Sequence, residues 1–290
     1  MRRVILPAAC AALVLAGCGS PTAQQHAATT RASTTPVRLT VGVVGPLDVS
    51  LPGVRAVHAG LAASGGRPLV LVAATAASPR AVAAAAARNP ATHYALVGAS
   101  TKGNKQPNLV GVTYRLDQAA RLGGILTGLV AAGQGGSQAR VAWVGPGARA
   151  VTRSFARGVR LAAPGATVLV APSPSIPARC KEAALAAILD GAVAVMAGEG
   201  LCAAGVASAA AEQNRVAASL SDFELPDVAV ASVIRSALGG SYAGGEDLVF
   251  GFRSGAIGVE RLDPRVPADV AVQVRRAAQH LASGTPVTFD

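Results

Sequence analysis

Between residues 38 and 220, short runs of β-branched and apolar residues alternate with alanine-rich stretches, and this alternation limits the fold more than any other feature. "RLTVGVV" (38–44), "RPLVLVA" (67–73), "HYALVGA" (93–99) and "NLVGVTY" (108–114) read as strands. So do "ARVAWVG" (139–145), "ATVLVAP" (166–172), "GAVAVMAG" (191–198) and "RVAASL" (215–220). Between them, helices are expected over "GVRAVHAGLAA" (53–63), "SPRAVAAAAAR" (78–88), "LDQAARLGGILTGLVAAG" (116–133), residues near 150–163 and 180–190, and "CAAGVASAAAEQN" (202–214). Repeated strand–helix alternation implies parallel sheets covered on both faces. Right-handed crossovers then place the loops that follow the strands along one edge, where ligands bind in this class. The glycine-rich break at 133–137 divides the chain into two such units. In the tail, "EDLVFGFRSGAIGVERL" (246–262) reads as a strand pair around Ser254 and Gly255, and "PADVAVQVRRAAQHLASG" (267–284) as a closing helix. The expected class is α/β, two Rossmann-like lobes with parallel sheets: lobe 1 over 38–134 and 246–290, lobe 2 over 135–245.

The first residues are of another kind. Arg2 and Arg3 precede "VILPAACAALVLAG" (4–17), an apolar run too short to cross a bilayer, which takes about 20 residues. A basic start, a short apolar centre and small residues at its end make a secretory signal peptide over 1–17. Its ending, "LAGC" (15–18), resembles the lipobox of bacterial lipoproteins, in which the cysteine is acylated and becomes the first residue after cleavage. The resemblance implies lipidation of Cys18, attachment to the extracytoplasmic face of the cell membrane, and loss of Cys10 with the peptide. The alternative is an ordinary secreted protein with Cys18 near its cleavage site, but all four box positions fit. "GSPTAQQHAATTRASTTP" (19–36) lacks apolar periodicity, so residues 18–37 read as a flexible tether.

Composition then narrows the function. The net charge of +11 invites a nucleic-acid reading, but export argues against it, as does an aromatic content of only 3%. Arg149, Arg153, Arg157 and Arg160 recur at helical spacing and are expected on a solvated face, with anionic lipid headgroups as the livelier option. Enzyme readings find no support: there is no Gly-x-Ser-x-Gly elbow, no phosphate loop with its lysine, and no metal-ligand spacing. His26, His58, His93 and His280 fall in unrelated segments. No catalysis, cofactor or metal is expected. Cys180 and Cys202 remain in the exported chain, where an even pair suggests a disulfide. Free core thiols or a metal site are the rivals, and the absence of nearby histidines disfavours zinc.

From Pro107 onward, several segments match one family in order. They are "PNLVGVTYRLDQAARLGGILTGLVA" (107–131), "ARVAWVGPGARAVTRSFARGVRLAAPGATVLV" (139–170), "ARCKEAALAAILDGAVAVMAGEGLCAAG" (178–205) and "SVIRSALGGSYAGGEDLVFGFRSGAIGV" (232–259). Together they resemble the basic membrane protein family, the substrate-binding lipoproteins of ABC importers whose characterised members bind purine nucleosides. The resemblance implies a type I periplasmic-binding-protein architecture, a nucleoside-like small ligand and an ABC permease as partner. It also puts Cys180 and Cys202 on one edge of the second sheet, where a disulfide would pin the ligand-facing loops.

Residue by residue, the carry-over is incomplete. The family's Asp-x-Ser-Phe-Asn signature corresponds to "DVSLP" (48–52): Asp48 and Ser50 agree, while Leu51 replaces the stacking ring and Pro52 the amide. The chain is also shorter by about one βα unit before residue 67. Of the family's Val-Asp-Ser-Asp, "SLSD" (219–222) keeps only Asp222, and Arg235 stands where a lysine is usual. Gly198 and Gly200 sit at a helix start whose amides suit an anion, although any tight turn there needs glycine. Asp48, Ser50, Gly200, Asp222 and Arg235 are therefore the expected ligand-binding residues, with a helix cap as the equal rival for Asp222 and a surface salt bridge as the rival for Arg235. Tyr114 and Trp143 are expected as packing in preference to stacking platforms. Each ribose hydroxyl buried without a partner costs about 1–3 kcal/mol, so the losses weaken a nucleoside's hold. The reading is a lipid-anchored solute receptor that clamps a small ligand for an ABC importer. The alternative is a degenerate relative acting as a ligand sensor or an envelope interaction protein.

Overall fold

The β-branched runs at 69–73, 109–114 and 192–197 are buried on both faces, which is why they read as near-continuous apolar segments. The computed structural model describes residues 38–135 and 138–289, and the expected signal peptide, tether and Cys18 lie outside the described residues. The strands are β1 (Leu39–Val44), β2 (Val54–His58), β3 (Leu69–Ala73), β4 (His93–Val97), β5 (Leu109–Tyr114), β6 (Arg140–Val144), β7 (Thr167–Ala171), β8 (Ala192–Ala197), β9 (Val216–Ser219) and β10 (Asp247–Phe250). The helices are α1 (Pro79–Arg88), α2 (Leu116–Gly135), α3 (Arg149–Ala162), α4 (Pro177–Leu189), α5 (Cys202–Glu212), α6 (Pro226–Leu238) and α7 (Ala268–Ser283).

Two separate sheets form, one ordered β10-β5-β4-β3-β1-β2 and the other β7-β6-β8-β9, with parallel pairing throughout. Local chemistry starts the helices. Ser78 Oγ accepts from the Ala81 amide at 3.3 Å to cap α1, and Pro79, Pro177 and Pro226 open α1, α4 and α6, where a missing amide is harmless. Helices α1 and α6 pack on the first sheet, while α4 and α5 pack on the second. The second sheet also receives α2, which in turn carries α3 and α7.

The expected division of the chain is shifted by this packing. Helix α2, expected in lobe 1, lies on β8, β6 and β9, and α6, expected in lobe 2, lies on β3 and β4. Of the 246–290 tail, β10 does join the first sheet, but α7 packs against α2. The chain changes sheets beside Tyr114, not at the glycine-rich break, because the apolar residues of α2 fill the core of the second sheet. Two elements also differ from expectation. Residues 54–58 form β2, which takes the open edge of β1 over five register pairs, and the helix expected over 53–63 is reduced to one 3-10 turn at Leu61–Ala63. The tail holds one strand, β10, followed by a turn at Phe252–Ser254 that Gly255 ends at φ 72°. In place of a second strand, Ile257 makes a single antiparallel bridge to Glu224.

Three connectors join the lobes side by side. The first is Tyr114–Leu116, the second runs from Ser219 through a 3-10 turn to Pro226, and the third follows Phe250. The Arg115 amide donates to the Phe250 carbonyl at 2.8 Å, linking the first and third. The Leu225 amide donates to Ala256 O and the Gly258 amide to Phe223 O, both at 2.9 Å, linking the second and third.

Candidate functional site

Because both sheets are parallel, the loops after their strands share one edge, and the connectors turn these two edges toward each other. Between them lies a cavity of about 630 Å³, a volume usual for small-molecule sites. Pro46 and Leu47 follow β1, Ala74 and Thr75 follow β3, and Gly98 follows β4 on one wall. On the other, Gly198, Glu199, Gly200 and Leu201 follow β8, and Ser219 to Ser221 close β9. Tyr114, Leu116, Glu224 and Pro226 come from the connectors and line the cavity where the lobes join. Leu201 is 67% exposed, so its apolar side chain is not spent on the core.

The electrostatics of this cavity are one-sided. Burial pushes the Glu224 carboxyl up to about 7, and no arginine or lysine pulls it back. Glu224 has no side-chain hydrogen bond or ion pair among the described residues. Tyr114 is 9% exposed and its hydroxyl has no partner among the described residues. Burial, then the charges of Glu224 and Asp227, push that phenol above its usual range. Glu199 adds a second carboxylate, and the lining includes no lysine, arginine or histidine. Among the described residues, no group of three or more possible ligands is placed to hold a metal ion.

The pH consequence can be measured. Glu224 titrates near 4.5 when unperturbed and near 7 in the folded protein. The native state thus holds this proton more tightly than the unfolded one, so Glu224's contribution is complete below about 4.5 and is lost as pH rises through 7. Glu224→Gln should match the wild type near pH 4.5 and exceed it by about 2 kcal/mol at pH 8, a figure discounted for the side chain's residual solvent contact. Urea unfolding of both proteins at the two pH values checks this, and an equal difference at both would refute it.

Of the five residues expected to bind ligand, Gly200 alone lines the cavity. It adopts φ 82°, and a Cβ there would meet Ser175 Oγ at 2.1 Å. That Oγ accepts from the Leu201 amide at 2.6 Å, so the α5 terminus expected to greet an anion is already engaged, with Glu199 beside it. Asp48 and Ser50 are exposed outside the cavity lining. Asp222 turns back to accept from the Ser219 amide at 2.7 Å and closes a capping box. Arg235 is exposed in the last turn of α6, outside the lining. Sequence reasoning missed Glu224 and Glu199 and favoured packing over a ligand platform for Tyr114. A signal for Glu224 does exist: in "DFELP" (222–226) it is a carboxylate flanked directly by Phe223 and Leu225, just before a helix.

The cysteines meet at the same edge. The structure joins the sulfurs of Cys180 and Cys202 across Cα atoms 5.2 Å apart, and both residues are fully buried. They link the first turns of α4 and α5 directly behind Leu201 and Ala203 of the cavity wall. Trp143 is buried and packs tilted on Phe155, with ring centroids 5.4 Å apart.

No protein-family model and no curated protein sequence matches the chain. Solved structures do. An ABC transporter system solute-binding protein from Conexibacter woesei DSM 14684 is 18% identical over 87% of this chain and all of its own, with a TM-score of 0.58. An ABC transporter system solute-binding protein from Aeropyrum pernix K1 is 19% identical over 85% of this chain and 92% of its own, with a TM-score of 0.54. A transcriptional activator of the comK gene from Bacillus halodurans gives 14% identity over 84% of this chain and 96% of its own, at a TM-score of 0.56. Proteins of different roles thus share one scaffold, and function has to be argued from the site. Two parallel sheets, three adjacent connectors and a cavity between facing strand ends give this chain the type I periplasmic-binding-protein architecture.

Proposed function

We propose that this chain is a solute-binding protein held at the extracytoplasmic face of the membrane through Cys18, where it closes two lobes over a small organic molecule and delivers it to an ABC permease. The observation that carries the reading is the cavity of about 630 Å³ walled by the strand ends of both sheets and floored by the connectors. A ligand there touches both lobes at once, so its binding energy favours the closed arrangement over the open one. The fold shared with the two solute-binding proteins supports the reading, as does the buried disulfide, which suits an oxidising compartment. The ordered segments after Pro107 support placing the chain beside the basic membrane protein family. The nucleoside specificity of that family gains no support, because Asp48, Ser50 and Asp222 lie off the cavity lining.

One paired experiment on the full-length protein tests this reading. Protein purified from its membrane should retain a small molecule in native mass spectrometry, and adding that molecule back to stripped protein should reduce the radius of gyration in solution scattering. In the same preparation, Cys18→Ser should move the protein from the membrane to the soluble fraction. Failure of a broad solute library to be retained or to compact the protein would defeat the clamp, and membrane retention of Cys18→Ser would defeat the anchor.

A further inference from the structure

The chain carries 26 Lys and Arg against 15 Asp and Glu, yet the charged side chains lining the interlobe cavity are Glu199 and Glu224. The basic residues are elsewhere: Arg149, Arg153, Arg157 and Arg160 stand on the exposed face of α3. Glu224 is half-buried with no cation or side-chain hydrogen-bond donor among the described residues to offset it, and a desolvated carboxylate without a partner is costly. Nearby, Tyr114 is nine-tenths buried at the cavity wall with its hydroxyl unpartnered among the described residues, an independent sign of polar groups left for a ligand. Thr75, Ser219 and Ser221 add hydroxyls, while Leu47, Leu116 and Leu201 offer apolar surface.

We infer that the cavity takes a small organic amine, whose ammonium group pairs with the Glu224 carboxylate at the connectors and whose apolar body lies along Leu47, Leu116 and Leu201. An ammonium donor supplies the missing counter-charge and offsets the cost of desolvating Glu224, whereas a carboxylate or phosphate would meet two acidic side chains with no cation in the cavity lining to receive it. A neutral alcohol would fill the same space but leave Glu224 uncompensated. This assignment rests on the proposed solute-binding reading and names the ligand class within it.

Matched probes of equal shape and different charge test it. The full-length protein at pH 8 is titrated calorimetrically with tyramine, tyrosol and 4-hydroxyphenylacetate, and with putrescine, 1,4-butanediol and succinate. Adenosine serves as an unrelated neutral solute, and solution scattering reports compaction. In at least one series the amine should bind about tenfold or more tightly than its alcohol and acid counterparts. Glu224→Gln should erase that preference while keeping its circular dichroism spectrum, and Glu199→Gln should weaken amine binding less. Equal binding of alcohol or acid, or an undiminished amine preference in Glu224→Gln, overturns the assignment. If adenosine, an alcohol or an acid binds and compacts the protein while amines do not, the clamp survives and the amine class falls. If none of the probes binds, the amine class falls, and the solute library decides the clamp separately.

Discussion

Gly158→Ala is expected to destabilise the protein by about 3 kcal/mol, where intrinsic helix preference alone would make it stabilising by about 1 kcal/mol. Gly158 lies within α3, where a Cβ would fall 2.1 Å from the Arg121 carbonyl oxygen of α2 and 2.9 Å from the Ile125 nitrogen. The fit is reciprocal, since a Cβ on Gly124 of α2 would fall 2.1 Å from the Phe155 carbonyl oxygen. The obstacle in both directions is backbone, which no rotamer change can move. One methyl group therefore has to push the two helices apart, loosening Phe155 and Val159, both fully buried beneath α2. Gly133→Ala, near the end of α2, is the control: its Cβ meets nothing within 4 Å, so it should be neutral or stabilising by up to about 1 kcal/mol. Thermal melts of the two variants should move in opposite directions or differ by several degrees, and a Gly158→Ala protein as stable as the wild type would show that the helices have room.

Loss of the Cys180–Cys202 bond should remove about 3 kcal/mol, the chain-entropy value for a 22-residue separation. The bond closes α4, β8 and the start of α5 into one loop, and the helices it joins are already tight: a Cβ on Gly205 would lie 2.0 Å from the Pro177 carbonyl oxygen. Cys202 also sits under Gly145, whose φ of 101° brings the β6 loop over the sulfur. The bond thus fixes the loops that carry Gly198 to Leu201 into the cavity. The double variant Cys180→Ala, Cys202→Ala should melt roughly 6–12 °C below the wild type. Dithiothreitol should lower the melting temperature of the wild type and leave the variant's unchanged. Two thiols free to alkylation without reductant, or a melting temperature indifferent to reductant, would contradict the pairing.

The class of fold was legible because parallel strands buried on both faces have to be apolar along their length, and β3 and β8 are, as are β4 and β6 after their first residues. The start of α1 was legible for an equally local reason, a serine and a proline in capping order. Residues 53–63 misled because Val54, Val57 and Leu61 suit helical spacing, and what favoured a strand was the open edge of β1. The tight turn at Gly200 after β8 was legible for a local reason, since its φ of 82° is one that glycine adopts without strain. Glu224 was not identified, because the cavity it shares with Tyr114 brings together residues more than a hundred positions apart, and no spacing encodes that.

The amino-acid order by itself determined the alternation of strands and helices, the parallel sheets that follow from it, and the edge on which their loops gather. Period, capping and chirality act over a few residues, so a chain reveals them without its partners. Which helix covers which sheet, where the chain crosses between lobes, and which carboxylate is left facing the cavity were decided only by tertiary structure. Those outcomes depend on burial and on neighbours distant in sequence, and Glu224 acquires its chemistry only when the connectors pack together and take it out of water.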